Sequence, residues 1–138
     1  ITFKIHFSFD ETVNICNQIL NQNILNELNH DLINYYCTPG EIIKLVQFAE
    51  EKQINLKDHD VSSIISLIIE NTYYKKNIFI KNLLINFIEL FLLKRYKTSN
   101  NKNFLLNFYQ SFIQKINNTE KFNLDEESLF LEFKSKIL

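Results

Sequence analysis

The sequence predicts an all-α protein. Gly and Pro each occur once among 138 residues, and scarcity of these two turn-forming residues favours long helices over a turn-rich β architecture. Apolar residues also recur at spacings of three and four along most of the chain, as in helices with one buried face. Two segments, 8–11 and 38–41, match the capping box, in which a hydroxyl and a Glu carboxylate satisfy free amides at a helix start.

The first seven residues depart from the helical pattern. Apolar and polar side chains alternate there, and the apolar set is Ile1, Phe3, Ile5 and Phe7. A period of two predicts a short, half-buried strand over 1–7. Because the sequence opens at Ile1 and contains no Met, we expect further residues to precede this strand in the full protein.

Three helices are predicted to follow the strand, giving a first module over 1–55. The first begins at the Ser8 capping box, the second lies within 24–37, and the third runs from Thr38 to about Gln53. Their apolar faces consist of Val13, Cys16, Ile19 and Leu20; Leu25, Leu28, Leu32 and Tyr36; and Ile42, Leu45, Val46 and Ala49. A polar connector over 55–58 is predicted to separate this module from the rest.

A second module over 56–138 is predicted to contain four helices. Three of them cover about 60–70, about 76–97 and the apolar residues of 104–116, and Asn123 with Glu126 is predicted to cap the last. Their apolar stripes are Val61, Ile64, Ile65 and Ile68; Ile80, Leu84, Phe87 and Phe91; Phe104, Leu105, Phe108, Phe112, Ile113 and Ile116; and Leu129, Phe130, Phe133 and Ile137.

The charge balance and the apolar runs exclude some classes of function. Lys and Arg number 15 against 16 Asp and Glu, which argues against sequence-independent binding of nucleic acid but leaves room for a few phosphate contacts. A single Gly excludes a Gly-rich phosphate loop within this segment. The most apolar run, 78–93, is shorter than the roughly 20 residues of a membrane span and contains charged residues, so no membrane is expected as a partner.

Few residues could carry chemistry or contact nucleic acid. Cys16 and Cys37 are predicted to be small buried residues of a reducing, cytoplasmic compartment, and neither has a local activating motif. The tyrosine pairs 35–36 and 73–74 could stack on bases, although their spacing favours packing. Lys75, Lys76 and Lys81, together with the basic run 94–97, could contact phosphate, but solvated helix ends explain them equally well.

One set of residues permits a metal site. The order His30, His59-Asp60, Asp125 resembles the H…HD…D pattern of the HD-domain metal phosphohydrolases, which are also helical. Imidazole and carboxylate ligands of this kind could hold metal ions that activate water. The competing interpretation is that these residues are solvated, or that they cap helices, since Asp is favoured at a helix start.

Three segments resemble a known family in order along the whole chain. They are the strand 1–5, the tetrapeptide 38–41 preceded by Tyr36-Cys37, and the closing stretch 122–129, Phe-Asn-Leu-Asp-Glu-Glu-Ser-Leu. In this order they resemble the C-terminal part of AAA+ clamp-loader subunits of bacterial DNA polymerase III, and the delta-prime subunits most closely. The resemblance implies a three-helix lid preceded by a short strand, and a helical collar domain.

The resemblance also implies partners. A fragment of this kind would assemble with the delta and gamma/tau subunits into a hetero-oligomer that loads the sliding clamp onto primed DNA during replication. The parent complex is an ATPase assembly, but the fragment itself would be non-catalytic, with no cofactor and no metal. Alternatively, the chain is an unrelated helical protein-interaction module, or the phosphohydrolase described above.

The chain departs from the pattern of nucleotide-sensing subunits at one point. Those subunits have a sensor Arg at the start of the third lid helix, where this sequence has Gly40 and Glu41, and its single Arg is Arg95. A carboxylate near a triphosphate repels it. The lid is therefore not expected to sense ATP, which agrees with the resemblance to delta-prime.

Overall fold

All regular secondary structure in the described part of the chain is helical. The computed structural model describes residues 6–33, 38–122 and 124–138, and the prediction of an all-α fold is confirmed within these ranges. The predicted strand over 1–7 falls mainly outside them, and His6 and Phe7, its described part, form no strand. Among the same residues, no helix is both long and apolar enough to cross a membrane.

The chain divides into two compact units, Ile1–Asp60 and Val61–Leu138. The first contains α1 (Phe9–Leu20), α2 (Ile24–Glu27), α3 (His30–Ile33) and α4 (Pro39–Lys52). The second contains α5 (Val61–Glu70), a 3-10 turn (Tyr73–Lys75), α6 (Ile78–Thr98), α7 (Lys102–Phe122) and α8 (Glu127–Lys136). The assignment of these units to a lid and a collar remains a prediction.

The capping boxes predicted at the start of α1 and α4 are both present. The Ser8 amide donates to Glu11 Oε2 at 2.7 Å, and the Glu11 amide donates to Ser8 Oγ at 3.3 Å. Thr38 and Glu41 exchange the equivalent bonds at 2.8 and 3.3 Å. The bond from the Ser8 amide lowers the pKa of Glu11, because it favours the ionised carboxylate.

Within its described residues, 24–33, the segment predicted as a second helix of the first unit forms α2 and α3 instead of one continuous helix. Leu28 ends α2 in an extended conformation, and its amide donates to the Ile24 carbonyl oxygen at 3.0 Å. Asn29 Oδ1 then accepts a 2.9 Å bond from the Asp31 amide. Asn side chains compete in this way with the helical backbone, so the helix breaks at Asn29.

Buried apolar side chains on α1 to α4 form the core of the first unit. Val13 and Cys16 of α1 are buried as predicted, whereas Ile19 is 59% exposed. Among the described residues of this unit, the core also contains Ile24, Leu28, Leu32, Ile42, Leu45, Val46, Phe48, Ala49 and Leu56. Ile19 lies at the edge of the apolar stripe near the end of α1, and Leu25, also predicted to face inwards, is 40% exposed.

Gly40 offers a stability test in the first unit. It occupies the second position of α4, where its φ is not positive and an added Cβ would meet no atom within 4 Å. Gly40→Ala should therefore increase the free energy of unfolding by about 0.5 kcal/mol, because Ala loses less backbone entropy on folding. Thermal unfolding followed by circular dichroism measures this. Gln47→Ala, an exposed change on the same helix, should have a smaller effect, and a destabilised Gly40→Ala variant would contradict the expectation.

In the second unit, the predicted stripes of α5 and α8 are buried completely. They consist of Val61, Ile64, Ile65 and Ile68, and of Leu129, Phe130, Phe133 and Ile137. On α6 the predicted Ile80, Leu84 and Phe87 are buried, and Phe91 is half-buried. Phe104 of α7 was predicted to belong to the stripe but is 46% exposed, because adjacent positions on a helix lie about 100° apart and Leu105 takes the inward position.

The capping prediction for α8 is wrong for Glu126, and Asn123 lies outside the described residues. Glu126 occupies the N-cap position but forms no side-chain cap bond. Asp125 supplies one instead, since its Oδ1 accepts a 3.0 Å bond from the Glu127 amide. Glu126 pairs with Lys81 at 2.7 Å, so its carboxylate is used by an ion pair between helices.

Candidate interaction surface

The residues proposed from sequence as metal ligands are spread over both units. His30 begins α3, His59 and Asp60 precede α5, and Asp125 precedes α8. Over 6–33, 38–122 and 124–138, no group of three or more His, Cys, Asp or Glu side chains is arranged to hold a metal ion. The geometry thus gives the phosphohydrolase interpretation no support.

Cys16 has the properties of a structural thiol. It is fully buried, and its Sγ donates to the Pro39 carbonyl oxygen at 3.6 Å. Burial raises the pKa of this thiol, and a protonated thiol is a poor nucleophile. Cys37 lies outside the described residues.

The helix start proposed as a degenerate sensor position already has a carboxylate in place. Glu41 Oε2 accepts bonds from the Thr38 amide at 2.8 Å and from Thr38 Oγ1 at 3.1 Å. Gly40 is exposed and contributes no side chain. A phosphate group approaching this turn would therefore meet a negative charge fixed by the capping box.

Lys75, Lys76 and Lys81, three of the residues proposed to contact phosphate, border a cleft of about 670 Å³ in the second unit. Lys75 pairs with Glu127 at 2.5 Å, and Lys81 pairs with Glu126 at 2.7 Å. The bond to Glu127 raises the pKa of Lys75. Phosphate would have to displace these carboxylates, so the cleft is a poor site for an anion.

The remaining candidates are also used in packing. Tyr74 is buried, and its ring contacts that of Phe130 edge-on at 4.7 Å. Arg95 donates from its Nη1 to the Ile137 carbonyl oxygen, which links α6 to the C-terminal end of α8. Tyr35 and Tyr36 lie outside the described residues. The prediction of core packing therefore fits Tyr74, whereas the hydrogen bond of Arg95 to Ile137 was not predicted.

An apolar groove between α6 and α7 is a feature whose position the sequence analysis does not predict. It has a volume of about 490 Å³ and is lined by Glu89, Leu90, Leu92, Leu93, Tyr96, Leu105, Leu106 and Tyr109, which we call the α6–α7 groove. Several of these side chains are open to solvent: Leu93 is 49% and Leu106 43% exposed, and Tyr96 and Tyr109 are each 36% exposed. Exposed apolar side chains clustered in a groove mark a site of interaction.

The groove arises because α6 is apolar on more than one side. Its inner side buries Leu83, Leu84, Phe87 and Ile88 in the core. A second stripe, formed by Glu89, Leu93 and Tyr96, follows helical spacing on the outer side, and Leu105, Leu106 and Tyr109 flank it from α7. A helix that is apolar around most of its circumference needs a second covering surface, which is the signal in the sequence that could have revealed the groove.

Glu89 places a carboxylate within this apolar surface. No hydrogen bond or ion pair joins it to another residue of the described part of the chain, and burial raises its pKa. The Lys102 ammonium lies 5.5 Å from the centre of the Tyr96 ring, which lines the groove. The groove therefore combines an apolar lining with one partly desolvated acidic group.

Glu89 should make the stability of the second unit depend on pH. The pKa of Glu89 is higher in the folded chain than in the unfolded chain. As pH rises between these two pKa values, the unfolded chain releases the carboxyl proton first, so the free energy of unfolding falls. Glu89→Gln removes the loss and should stabilise the protein by about 0.5–1 kcal/mol at pH 7, but not at about pH 3.5. Urea unfolding at both pH values measures this.

The exposed Glu120 on α7 provides the matched control for that measurement. Glu120→Gln removes the same charge outside the groove and should change stability by less than about 0.5 kcal/mol. An equal gain for Glu89→Gln at both pH values would show that ionisation of Glu89 is not the cause.

Comparisons with known proteins identify no family. No model of a protein family matches the chain, and neither the curated proteins nor the solved structures contain a match.

Proposed function

We propose that the chain is a non-catalytic assembly module, namely the lid and collar portion of a delta-prime-like clamp-loader subunit. In this role it would hold neighbouring delta and gamma/tau subunits in a ring that loads the sliding clamp onto primed DNA. The ordered resemblance of three segments motivates the particular family. The α6–α7 groove carries the more general claim that the chain works by docking.

The groove supports docking because four of its apolar side chains, Leu93, Tyr96, Leu106 and Tyr109, remain exposed within the second unit. Leu93 and Leu106 each leave more than two fifths of their surface in solvent. Burying apolar surface contributes about 25 cal/mol per Å², so a partner that covers these side chains gains affinity. Aromatic residues such as Tyr96 and Tyr109 are also enriched at the centres of protein interfaces.

The start of α4 supports a role that does not sense ATP. Glu41 is bound within its capping box, and Gly40 lacks a side chain that could reach a phosphate. A delta-prime-like subunit would act in the ring as a partner of ATP-binding subunits, and a carboxylate at this turn suits that role.

Reconstitution tests the proposal. The 138-residue chain is mixed with purified delta and gamma subunits from the same organism, and the molar mass is measured by size-exclusion chromatography with light scattering. We expect a stable complex that contains the chain, whether or not ATP is added. If the chain remains separate from both subunits, singly and together, the clamp-loader proposal is wrong.

The α6–α7 groove also favours the alternative of an unrelated helical interaction module. That module would use the same groove but would show no affinity for clamp-loader subunits. The reconstitution therefore separates the two functions.

A further inference from the structure

We propose that the α6–α7 groove binds an amphipathic α-helix of a partner protein and that Glu89 forms an ion pair with a Lys or Arg of that helix. This inference deepens the proposed assembly role by specifying the chemistry of the partner. It depends on the docking function but not on the identity of the partner as a clamp-loader subunit.

The arrangement of the groove suits a helix. The loop between α6 and α7 is short, with α6 ending at Thr98 and α7 beginning at Lys102, so the two helices are neighbours whose side chains form a trough. Leu93 and Tyr96 on one wall, and Leu106 and Tyr109 on the other, are spaced by three residues. A helix with apolar residues at spacings of three and four can place them between these walls.

The charge in the groove defines the partner further. Glu89 is the one charged side chain among the residues that line it. Covering the groove with a wholly apolar surface would leave this carboxylate desolvated and unpaired, which is costly. A cation on the bound helix gives Glu89 a partner, so charge complementarity selects a helix with a basic residue amid its apolar stripe.

The same carboxylate argues against a symmetric dimer of this chain. In a two-fold interface the same patch meets itself. Two α6–α7 grooves placed face to face with the two-fold axis near Glu89 would bring two carboxylates together, and like charges with little solvent around them repel. A separate helix with a cation avoids this repulsion.

Two synthetic peptides probe the groove. Both are amphipathic helices of about 18 residues, or five turns, with Leu at spacings of three and four; one carries a central Lys amid the Leu residues and the other a Glu. Fluorescence anisotropy of labelled peptide measures its Kd for the full chain. We expect the Lys peptide to bind at least about tenfold more tightly than the Glu peptide.

Variants of the chain test whether Glu89 is the cause of that preference. Glu89→Gln should remove the preference, and Glu89→Lys should reverse it in favour of the Glu peptide. Glu120→Lys makes the same charge change at an exposed site of α7 outside the groove and should keep the original preference. Leu106→Asp should weaken the binding of both peptides. Circular dichroism of each variant checks that it is folded.

Several results would overturn the inference. Equal affinity for the two peptides, a preference that survives in Glu89→Lys, or no binding of either peptide at up to about 1 mM would each contradict it. Self-association of the chain that Leu106→Asp abolishes would identify a second copy as the occupant instead. If the peptides bind as predicted but the chain does not join clamp-loader subunits, the inference about the groove holds and the clamp-loader proposal is wrong. If the chain assembles with those subunits and Leu106→Asp does not affect this assembly, the clamp-loader proposal holds and the inference about the groove is wrong.

Discussion

Phe87→Asp should unfold the second unit or leave it barely stable. Phe87 lies at the centre of α6 and is fully buried. The substitution removes about 2–3 kcal/mol of apolar burial and adds a carboxylate with no solvent around it, so the total loss should exceed about 4 kcal/mol. This approaches the whole stability of a small domain. Urea unfolding followed by circular dichroism should show a large shift of the midpoint or no cooperative transition.

Asn82→Asp is the control for Phe87→Asp. It adds the same charge to the same helix at an exposed position, and should change the free energy of unfolding by less than about 0.5 kcal/mol. Phe87→Leu, which keeps an apolar side chain, should retain a cooperative transition. If Asn82→Asp is as damaging as Phe87→Asp, burial at position 87 is not what stabilises the unit.

Phe133→Ala should have the second largest effect, a loss of about 3–5 kcal/mol. Phe133 is fully buried on α8, and its ring lies 6.0–6.2 Å from those of Phe91, Phe108 and Phe112. Removing it opens a cavity where α6, α7 and α8 contribute aromatic rings. The free energy of unfolding in urea measures the loss, and the near-ultraviolet circular dichroism of the remaining aromatic residues should weaken as they repack.

Leu131→Ala provides the comparison for Phe133→Ala. Leu131 lies on the same helix but is 51% exposed, so shortening it should change stability by less than about 0.5 kcal/mol. A loss for Phe133→Ala no larger than that for Leu131→Ala would contradict the aromatic core.

The elements that could be predicted from sequence are those set by local interactions. Each capping box joins residues three apart, and the Ser8 and Thr38 boxes form as their spacing indicates. All residues of the stripes predicted for α5 and α8 are likewise buried, because their spacing of three and four places them on one face of a helix. Short-range spacing is sufficient information in these cases.

Features that depend on competition or on tertiary packing could not be predicted. The helix breaks at Asn29 because the Asn29 side chain accepts a hydrogen bond from the Asp31 amide. The spacing of apolar residues gives no information about such a bond. Ile19 and Phe104 belong to apolar stripes, but which edge of a stripe is covered depends on neighbouring helices. The α6–α7 groove has a signal in the sequence, the apolar circumference of α6, but which side of α6 stays uncovered depends on how α7 packs against it.

Hydroxyl-radical footprinting of the chain, alone and in complex with delta and gamma subunits, tests docking through the α6–α7 groove most directly. Oxidation of the exposed Tyr96, Leu106 and Tyr109 should fall several-fold in the complex. Leu131, which is 51% exposed and lies outside the groove, should react at the same rate in both samples. A complex in which the groove residues remain as reactive as in the free chain would contradict the account.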